Sequence, residues 1–374
     1  MRDAVLRVDA ATPPARDRGI DALRALAILG VVFGHWLVTA LVVDSGTVRA
    51  ASPLHYLPAL APVSWVLQTL AVFFFVGGYV AARGHASARA AGTGRARWLR
   101  ARLARLFRPV GAVLAVWAVV LGVLLASGVG YATVRALGKL ALSPLWFLLV
   151  FAVLTAATPV AARLHPLWPL AAVGCVDLWR LRYDGPAALG WVNVAAGWLV
   201  PYALGARAAR RGLPRRHTAW ALLGGGAVAT AGLVRCAGYP AAMVGVPGAA
   251  VSNLDPPTLA AATFGLAQCG AALLLLGPLR RALRRPAAWA AVALLNLSAM
   301  TVFLWHQTAM MAVTALGLLA GGALPGLHTV PDGAGWVPAR LLWLPVFAAV
   351  LLVCRAAFQP YERRPARPAA VRGT

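Results

Sequence analysis

The stretch Leu23-Arg-Ala-Leu-Ala-Ile-Leu-Gly-Val-Val-Phe-Gly-His35 decides the fold class of this chain and points to its site. Arg24 and His35 lie eleven residues apart, which is three helical turns at about 3.6 residues per turn, so both side chains face the same way. An Arg at the centre of a membrane helix costs about 2.5–3.5 kcal/mol on insertion scales, and such residues usually line a cavity or a site. We therefore predict that this pair belongs to a functional membrane helix.

The composition agrees with a membrane protein. Of 374 residues, 61% are hydrophobic and only 12% are charged, which no ordinary soluble domain of this size shows. Apolar runs of membrane-spanning length recur from end to end, so we predict an all-α, polytopic integral membrane bundle. The net charge of +25 would suggest a nucleic-acid partner in a soluble protein, but here short Arg clusters separate apolar runs. That arrangement is typical of the positive-inside rule, so we expect no nucleic-acid binding.

The apolar runs predict about ten transmembrane helices, each near the roughly 20 residues that a bilayer requires. They cover residues 22–43, 63–82, 110–128, 142–161, 164–179, 186–205, 218–235, 258–277, 292–318 and 339–357. The Arg clusters all belong on the cytoplasmic side, which demands an even number of crossings between successive clusters, and ten spans satisfy this. Both termini are then cytoplasmic, and the chain is a multi-pass protein of the plasma or inner membrane.

The predicted organisation has one membrane domain, 20–358, between a cytoplasmic tail at 1–19 and a second at 359–374. The basic stretch 83–109 is predicted to be a cytoplasmic loop, too short and too basic to form its own core. Its end, Arg97–Arg108, is typical of an amphipathic helix on the membrane surface, with Pro109 beginning the next span.

Titratable groups in the first span suggest chemistry. Asp21 lies three residues before Arg24, so the two can pair on one helix face. His35 lies about 16 Å further along the axis, near the middle of the bilayer, where a neutral imidazole can act as a general base toward a hydroxyl. The alternative is that Arg24 is a positive-inside charge and His35 a packed core residue.

Other features are less informative. The four cysteines have no CxxC or metal-ligand spacing, and no HExxH, GxSxG or P-loop is present, so we expect no metal. Lys139 is the only Lys and Glu362 the only Glu, which is typical of a GC-rich coding bias.

Taken in order along the chain, several motifs resemble acyltransferase family 3. The Arg24-x10-His35 spacing in the first span is the hallmark of that family. Phe73-Phe-Phe-Val-Gly-Gly-Tyr79 is similar to its second-span signature, although Gly77 stands where a Ser is usual. The other matching segments are Arg102-Leu-Ala-Arg105-x-x-Arg108, Leu145-Trp-Phe-Leu148 and Phe303-Leu-Trp-His306. The resemblance covers residues 18–362.

The resemblance implies a membrane O-acyltransferase that moves an acyl group, usually acetyl, from cytoplasmic acyl-CoA to a hydroxyl. The implied acceptors are glycans, lipid-linked saccharides or secreted metabolites, and His35 is then the general base or an acyl relay, with Arg24 and Asp21 as further catalytic candidates on the same helix. Guanidinium groups bind phosphate in a bidentate manner, so Arg102, Arg105 and Arg108 are candidates to hold the CoA phosphates. Lipid headgroups are the alternative partners of these cations.

Four further residues are candidates to line a substrate cavity: Tyr79, Trp146, Trp305 and His306. For Trp146 the alternative is an interfacial anchor, and for His306 it is polar packing between helices.

A second hypothesis is a transporter or exporter of a small anionic or glycan substrate. Arg24 and His35 would then form an intramembrane binding site or proton relay. We see no paired broken helices in matching halves of the sequence, which counts against this alternative.

Overall fold

The apolar runs fold into helices that pack side by side as a bundle. The structure, a computed structural model, describes residues 2–14, 16–44 and 47–362. The helices of its first half are α1 (Arg2–Ala10), α2 (Arg18–Val38), α3 (Pro53–Tyr56), α4 (Ala61–Leu67), α5 (Leu70–Ala90), α6 (Arg95–Ala126), α7 (Tyr131–Leu142) and α8 (Leu145–Ala156). Those of its second half are α9 (Thr158–Ala161), α10 (Leu167–Asp177), α11 (Gly190–Arg211), α12 (Arg216–Cys236), α13 (Leu259–Ala282), α14 (Pro286–Leu297), α15 (Ala299–Gly317) and α16 (Trp336–Glu362). Shorter turns of 3₁₀ helix lie at Pro58–Leu60, Ala187–Leu189 and Leu318–Ala320.

Across the described residues, nine helical segments are long and apolar enough to cross a membrane. The predicted span at 164–179 corresponds to α10, which has 11 residues and continues into one π-helical turn, Leu178–Arg182. This segment falls short of the roughly 20 residues that a bilayer requires, so the count of ten stays a prediction.

The outward faces of the long helices carry large apolar side chains. Val119 on α6 is 66% exposed, and Leu342 and Val353 on α16 are similarly open. Exposed apolar surface of this extent is costly in water and is what hydrocarbon chains of a bilayer would cover.

Most of the described basic residues lie at one end of the bundle, which we call the basic end: the N-termini of α2 and α6 and the C-termini of α11 and α13. Arg18 donates to the carbonyl of Leu283, and Arg95 donates to that of Ala156. Asp17 caps α2 by accepting from two backbone N–H groups and pairs with Arg280. Burial alone would raise the pKa of Asp17, but Arg280 and these N–H groups outweigh it and hold the pKa below its ordinary value.

The segment predicted as a basic loop, 83–109, is almost wholly helical. α5 runs to Ala90, and α6 begins at Arg95 and continues through Pro109. A proline inside a helix removes one backbone hydrogen bond, and neighbouring groups in membrane bundles often compensate for it. The predicted surface helix is therefore the first part of one 32-residue helix.

Irregular segments close the other end, which we call the loop end. The first helix stops at Val38, earlier than predicted, and β1 (Ala40–Asp44) pairs antiparallel with β2 (Thr47–Ala51). Valine-rich sequence favours strands over helix. The segments 237–258 and 321–335 pack over this hairpin and its neighbours, and Trp65 Nε1 donates to the carbonyl of Ala241 at 2.7 Å.

α5 and α11 approach closely where their glycines meet. A Cβ on Gly78 would lie 2.1 Å from the carbonyl oxygen of Tyr202, and one on Gly205 would lie 1.9 Å from that of Phe75. Small residues allow such approach of two backbones in membranes. The glycines of the Phe73–Tyr79 motif thus contribute to helix packing.

We expect Gly205→Ala to destabilise the protein by about 1–3 kcal/mol, because the new methyl group meets backbone atoms that cannot rotate away. The measurement is thermal unfolding of the detergent-solubilised chain. Gly111→Ala on α6 is the matched control, since no atom lies within 4 Å of its Cβ position. Equal melting temperatures for wild type and Gly205→Ala would contradict the packing role.

Candidate active site

Helix α2 runs past two cavities, one toward each end of the bundle. Arg24 lines the cavity nearer the basic end, which we call the inner cavity. His35 lines the cavity nearer the loop end, which we call the outer cavity. The two residues share one helix, as the sequence predicts, but they open into different chambers rather than one.

Two neighbours fix the position of Arg24. Its Nε donates to Oδ1 of Asn296 at 2.7 Å, and its Nη2 lies 3.1 Å from Oδ1 of Asp21. The amide nitrogen of Asn296 in turn donates to the backbone carbonyl of Asp21 at 2.8 Å. Asp21 also pairs with Arg16 at 2.6 Å, so its charge is shared between two guanidinium groups. Arg24 therefore keeps hydrogen-bonding capacity for a ligand.

The inner cavity has a volume of about 420 Å³ and carries three cations. Arg24, Arg102 and Arg105 line it, and Glu362 is the acidic residue on its wall. Glu362 accepts hydrogen bonds from the backbone of Met300 and Thr301, so its carboxylate is already engaged at the start of α15. The remaining positive charge makes this cavity suited to a phosphate-bearing ligand.

The outer cavity is larger, about 560 Å³. Helices α2, α7 and α8 and the segment 244–254 contribute to its walls. Its polar side chains are His35, Thr39, Ser52, Gln68, Thr69, Lys139, Ser143 and Trp146. Both cavities fall within the range of about 300–1,000 Å³ that small-molecule sites occupy.

Aromatic rings stand between the two cavities. Phe73 and Phe151 line the inner cavity, and Phe147 and Phe303 line the outer one. The ring centroid of Phe147 lies 5.0 Å from that of Phe73 and 5.2 Å from that of Phe303. We call Phe73, Phe147 and Phe303 the aromatic partition. Because side-chain rings can rotate, this partition opens more easily than a barrier made of backbone.

His35 contacts two polar residues of α15. Nε2 of Gln307 lies 2.9 Å from Nδ1 of His35, and the His306 ring lies 5.1 Å away between centroids. Oε1 of Gln307 has no hydrogen-bond partner among the described residues, so turning the amide by 180° sacrifices no hydrogen bond. In that arrangement Oε1 accepts the Nδ1 proton, and Nε2 of His35 carries the lone pair that a general base needs.

His306 itself is fully buried and does not line either cavity. Its Nδ1 lies 2.6 Å from the carbonyl oxygen of Phe303, which can only accept, so the proton of the neutral ring sits on Nδ1. Nε2 has no partner in the described part of the chain. The structure thus places His306 behind His35 rather than beside a ligand.

The remaining predicted site residues are dispersed. Trp146 lines the outer cavity with His35. Tyr79 packs among α2 and α13 side chains and accepts from Arg83, and Trp305 stacks on Phe358 at 3.7 Å, so neither lines either cavity. Arg108 is exposed one turn beyond Arg105 and lies off the inner cavity, because each step of three residues rotates the side chain further round α6.

Arg340 was not among the predicted site residues, yet it holds the end of α2 that carries His35. Its guanidinium is buried and donates to the carbonyls of Trp36 at 2.7 Å, Thr39 at 2.7 Å and Gly326 at 3.0 Å. A cation at a helix C-terminus stabilises the exposed carbonyls there. The sequence signal was available: an Arg within an apolar stretch, away from the basic clusters.

Metal ligands are not grouped in the part of the chain that the structure describes: no set of three or more His, Cys, Asp and Glu side chains could hold an ion. The groups that could act on a ligand are the imidazole of His35 in the outer cavity and the guanidinium groups in the inner cavity.

Helices of this length around two cavities, one of them lined by a histidine, define a multi-pass membrane protein. A family model described as "Acyltransferase domain", that of acyltransferase family 3, matches residues 17–358. The chain therefore belongs to this acyltransferase family, as the motifs indicate. Neither the curated proteins nor the solved structures that were compared gave a match.

Proposed function

We propose that this acyltransferase uses acyl-CoA at the inner cavity to acylate a hydroxyl of a glycan or glycan-like acceptor in the outer cavity, with acetyl as the usual acyl group. One observation carries the proposal: arginines line one chamber, His35 lines the other, and the contacting rings of Phe73, Phe147 and Phe303 belong to the walls between them. Such a layout keeps a phosphorylated donor and a hydroxyl acceptor on opposite sides of the bundle while bringing their reactive ends together.

The donor would enter from the basic end, which the positive-inside rule assigns to the cytoplasm. Arg102 and Arg105 would bind its phosphates from α6, and Arg24 lines the same cavity from α2. The narrow pantetheine arm would then pass the aromatic partition and place the thioester near His35.

In the general-base form of the reaction, Nε2 of His35 removes the proton of the acceptor hydroxyl as its oxygen attacks the thioester carbonyl. The C–O bond of the ester forms, the C–S bond breaks, and the CoA thiolate leaves with the proton returned by the imidazolium. Acyl-CoA and the alcohol thus give the ester and free CoA, with no other reactant.

In the relay form, Nε2 of His35 attacks the thioester carbonyl first, the C–S bond breaks, and the products are an acyl-imidazolium and the CoA thiolate. The acceptor hydroxyl then attacks this carbonyl, the C–N bond breaks and restores the neutral ring, and the hydroxyl proton passes to the CoA thiolate. Both forms need the tautomer of His35 with the proton on Nδ1, which the turned Gln307 amide would favour by accepting that proton at Oε1.

Membrane vesicles that contain the full chain, supplied with acetyl-labelled acetyl-CoA and an extract of the producing cells, test the proposal. Transfer of label to a hydroxyl compound, with free CoA released in equal amount, supports it. Movement of a solute across the vesicle membrane without thioester cleavage would instead establish the transporter alternative, in which Arg24 and His35 form a binding site.

We expect Arg102→Ala to weaken CoA binding by about 1.5–3 kcal/mol, or roughly ten- to a hundredfold in Kd, because a charged hydrogen bond to phosphate is lost. The measurement is the Kd of CoA for the solubilised protein. Arg100→Ala, exposed on the same helix and off the cavity, is the matched control and keeps its Kd. An unchanged Kd for Arg102→Ala would remove the phosphate role from this cavity.

A further inference from the structure

The outer cavity carries positive charge without a balancing acid. Its lining includes the ammonium of Lys139, an exposed residue, and no Asp or Glu among the described residues contributes to it. A cleft lined by one sign of charge attracts ligands of the other sign. The inner cavity differs, since Glu362 stands on its wall.

Lys139 is also the only lysine in a chain with 35 basic residues. A coding bias toward Arg accounts for all the remaining basic positions, but it does not account for this one ammonium. Arginine and lysine are not interchangeable, because a compact ammonium on a flexible stem can follow a ligand where a planar guanidinium requires fixed geometry.

The ammonium of Lys139 has no partner within the described ranges. It makes no ion pair there, and it donates no hydrogen bond. It lies in the last turn of α7, just before the Ser143–Pro144 break that leads into α8. A cation in the last turn of a helix interacts favourably with the helix dipole, but an Arg would do this equally well. The charge is thus free to meet a ligand in the cavity.

We infer that the acceptor of this enzyme is an anion: a hydroxyl compound that also carries a carboxylate or a phosphate. The inference rests on the proposed function. Lys139 pairs with the acid group of the acceptor, which leaves one of its hydroxyl groups to approach His35 across the same cavity. An acidic saccharide and a phosphate-linked saccharide both have this chemistry.

The charge of the product tests the inference directly. Vesicles that contain the full chain receive acetyl-labelled acetyl-CoA and an extract of the producing cells, and both unreacted acetyl-CoA and free acetate are then removed. The labelled product is expected to bind an anion exchanger at neutral pH. Treatment with a phosphodiesterase and a phosphatase together separates the two sources of charge: a phosphate-linked acceptor loses its retention, whereas a carboxylate acceptor keeps it.

Three variants locate the charge recognition. Lys139→Ala is expected to raise the KM for the extract about tenfold, the loss of one charge-assisted hydrogen bond, while Lys139→Arg keeps most of the affinity. Arg135→Ala is the matched control, because Arg135 is exposed one turn earlier on α7 and off the cavity. Its KM should equal that of wild type. Melting temperatures of the solubilised variants show that each one folds.

A labelled product that passes through the anion exchanger would overturn the inference, as would an unchanged KM for Lys139→Ala. An equal rise in KM for Arg135→Ala would also overturn it, since the effect would then be general surface charge. Failure of the proposed function looks different: the wild type would then transfer no label to any acceptor.

Discussion

Replacing His35 with alanine is expected to lower the rate of acyl transfer by a factor of about 10²–10⁴, the usual contribution of a positioned general base. The effect should fall on kcat rather than on CoA binding, because His35 lines the outer cavity and the arginines line the inner one. The measurement is labelled acyl transfer in vesicles, together with the Kd of CoA for the solubilised variant.

His55→Ala is the control for this variant, since His55 is an exposed histidine in the short helix α3 at the loop end. It should transfer acyl groups at the wild-type rate. A folded His35→Ala protein that retains full transfer would exclude both forms of the mechanism. Rapid quenching of the wild type with acetyl-CoA, followed by mass spectrometry, distinguishes the two: an acetyl adduct on His35 shows the relay.

The helical membrane fold was predictable from the sequence because it depends on one strong constraint. A bilayer forces each apolar run to satisfy its own backbone hydrogen bonds, so composition and spacing alone indicate helices. The boundaries were harder to predict. The polar stretch 83–109 was predicted to be a loop that ends in a surface helix, whereas in the structure only residues 91–94 of it are non-helical. The polarity of this stretch predicts its exposure to water, but it does not predict where the helices end.

The site was predictable only in part, and the reason is tertiary contact. The eleven-residue spacing of Arg24 and His35 is a local feature of one helix, so periodicity revealed it. Gln307 meets His35 across 272 positions of sequence, and no spacing rule connects them. The same holds for Lys139, which shares a cavity with His35 only because α7 packs near the C-terminal end of α2.

The aromatic signatures acquire a structural meaning from such contacts. Leu145–Leu148 and Phe303–His306 are far apart in the chain, yet Phe147 and Phe303 meet at 5.2 Å and separate the cavities. In the sequence these aromatic residues indicate packing or interfacial anchoring. In the fold they form the boundary that an acyl donor would have to cross.

Opening that boundary should uncouple thioester cleavage from transfer. Phe147→Leu is expected to raise acceptor-independent hydrolysis of acetyl-CoA and to lower transfer, because water from the outer cavity would reach a thioester that the ring now shields. Full truncation to alanine would cost about 3–5 kcal/mol of stability, so leucine is the better probe because it fills more of the space. The measurement is CoA release in vesicles with and without acceptor.

Phe74→Leu provides the comparison that separates a boundary from ordinary packing. Phe74 is fully buried and its ring centroid lies 5.0 Å from that of Phe147, but it lines neither cavity. It should lose stability as a large-to-small core substitution does, while CoA release stays dependent on acceptor. If both variants hydrolyse acetyl-CoA equally, loosened packing explains the leak, and the partition has no separate role. If only Phe147→Leu leaks, the ring itself keeps water from the donor until an acceptor arrives.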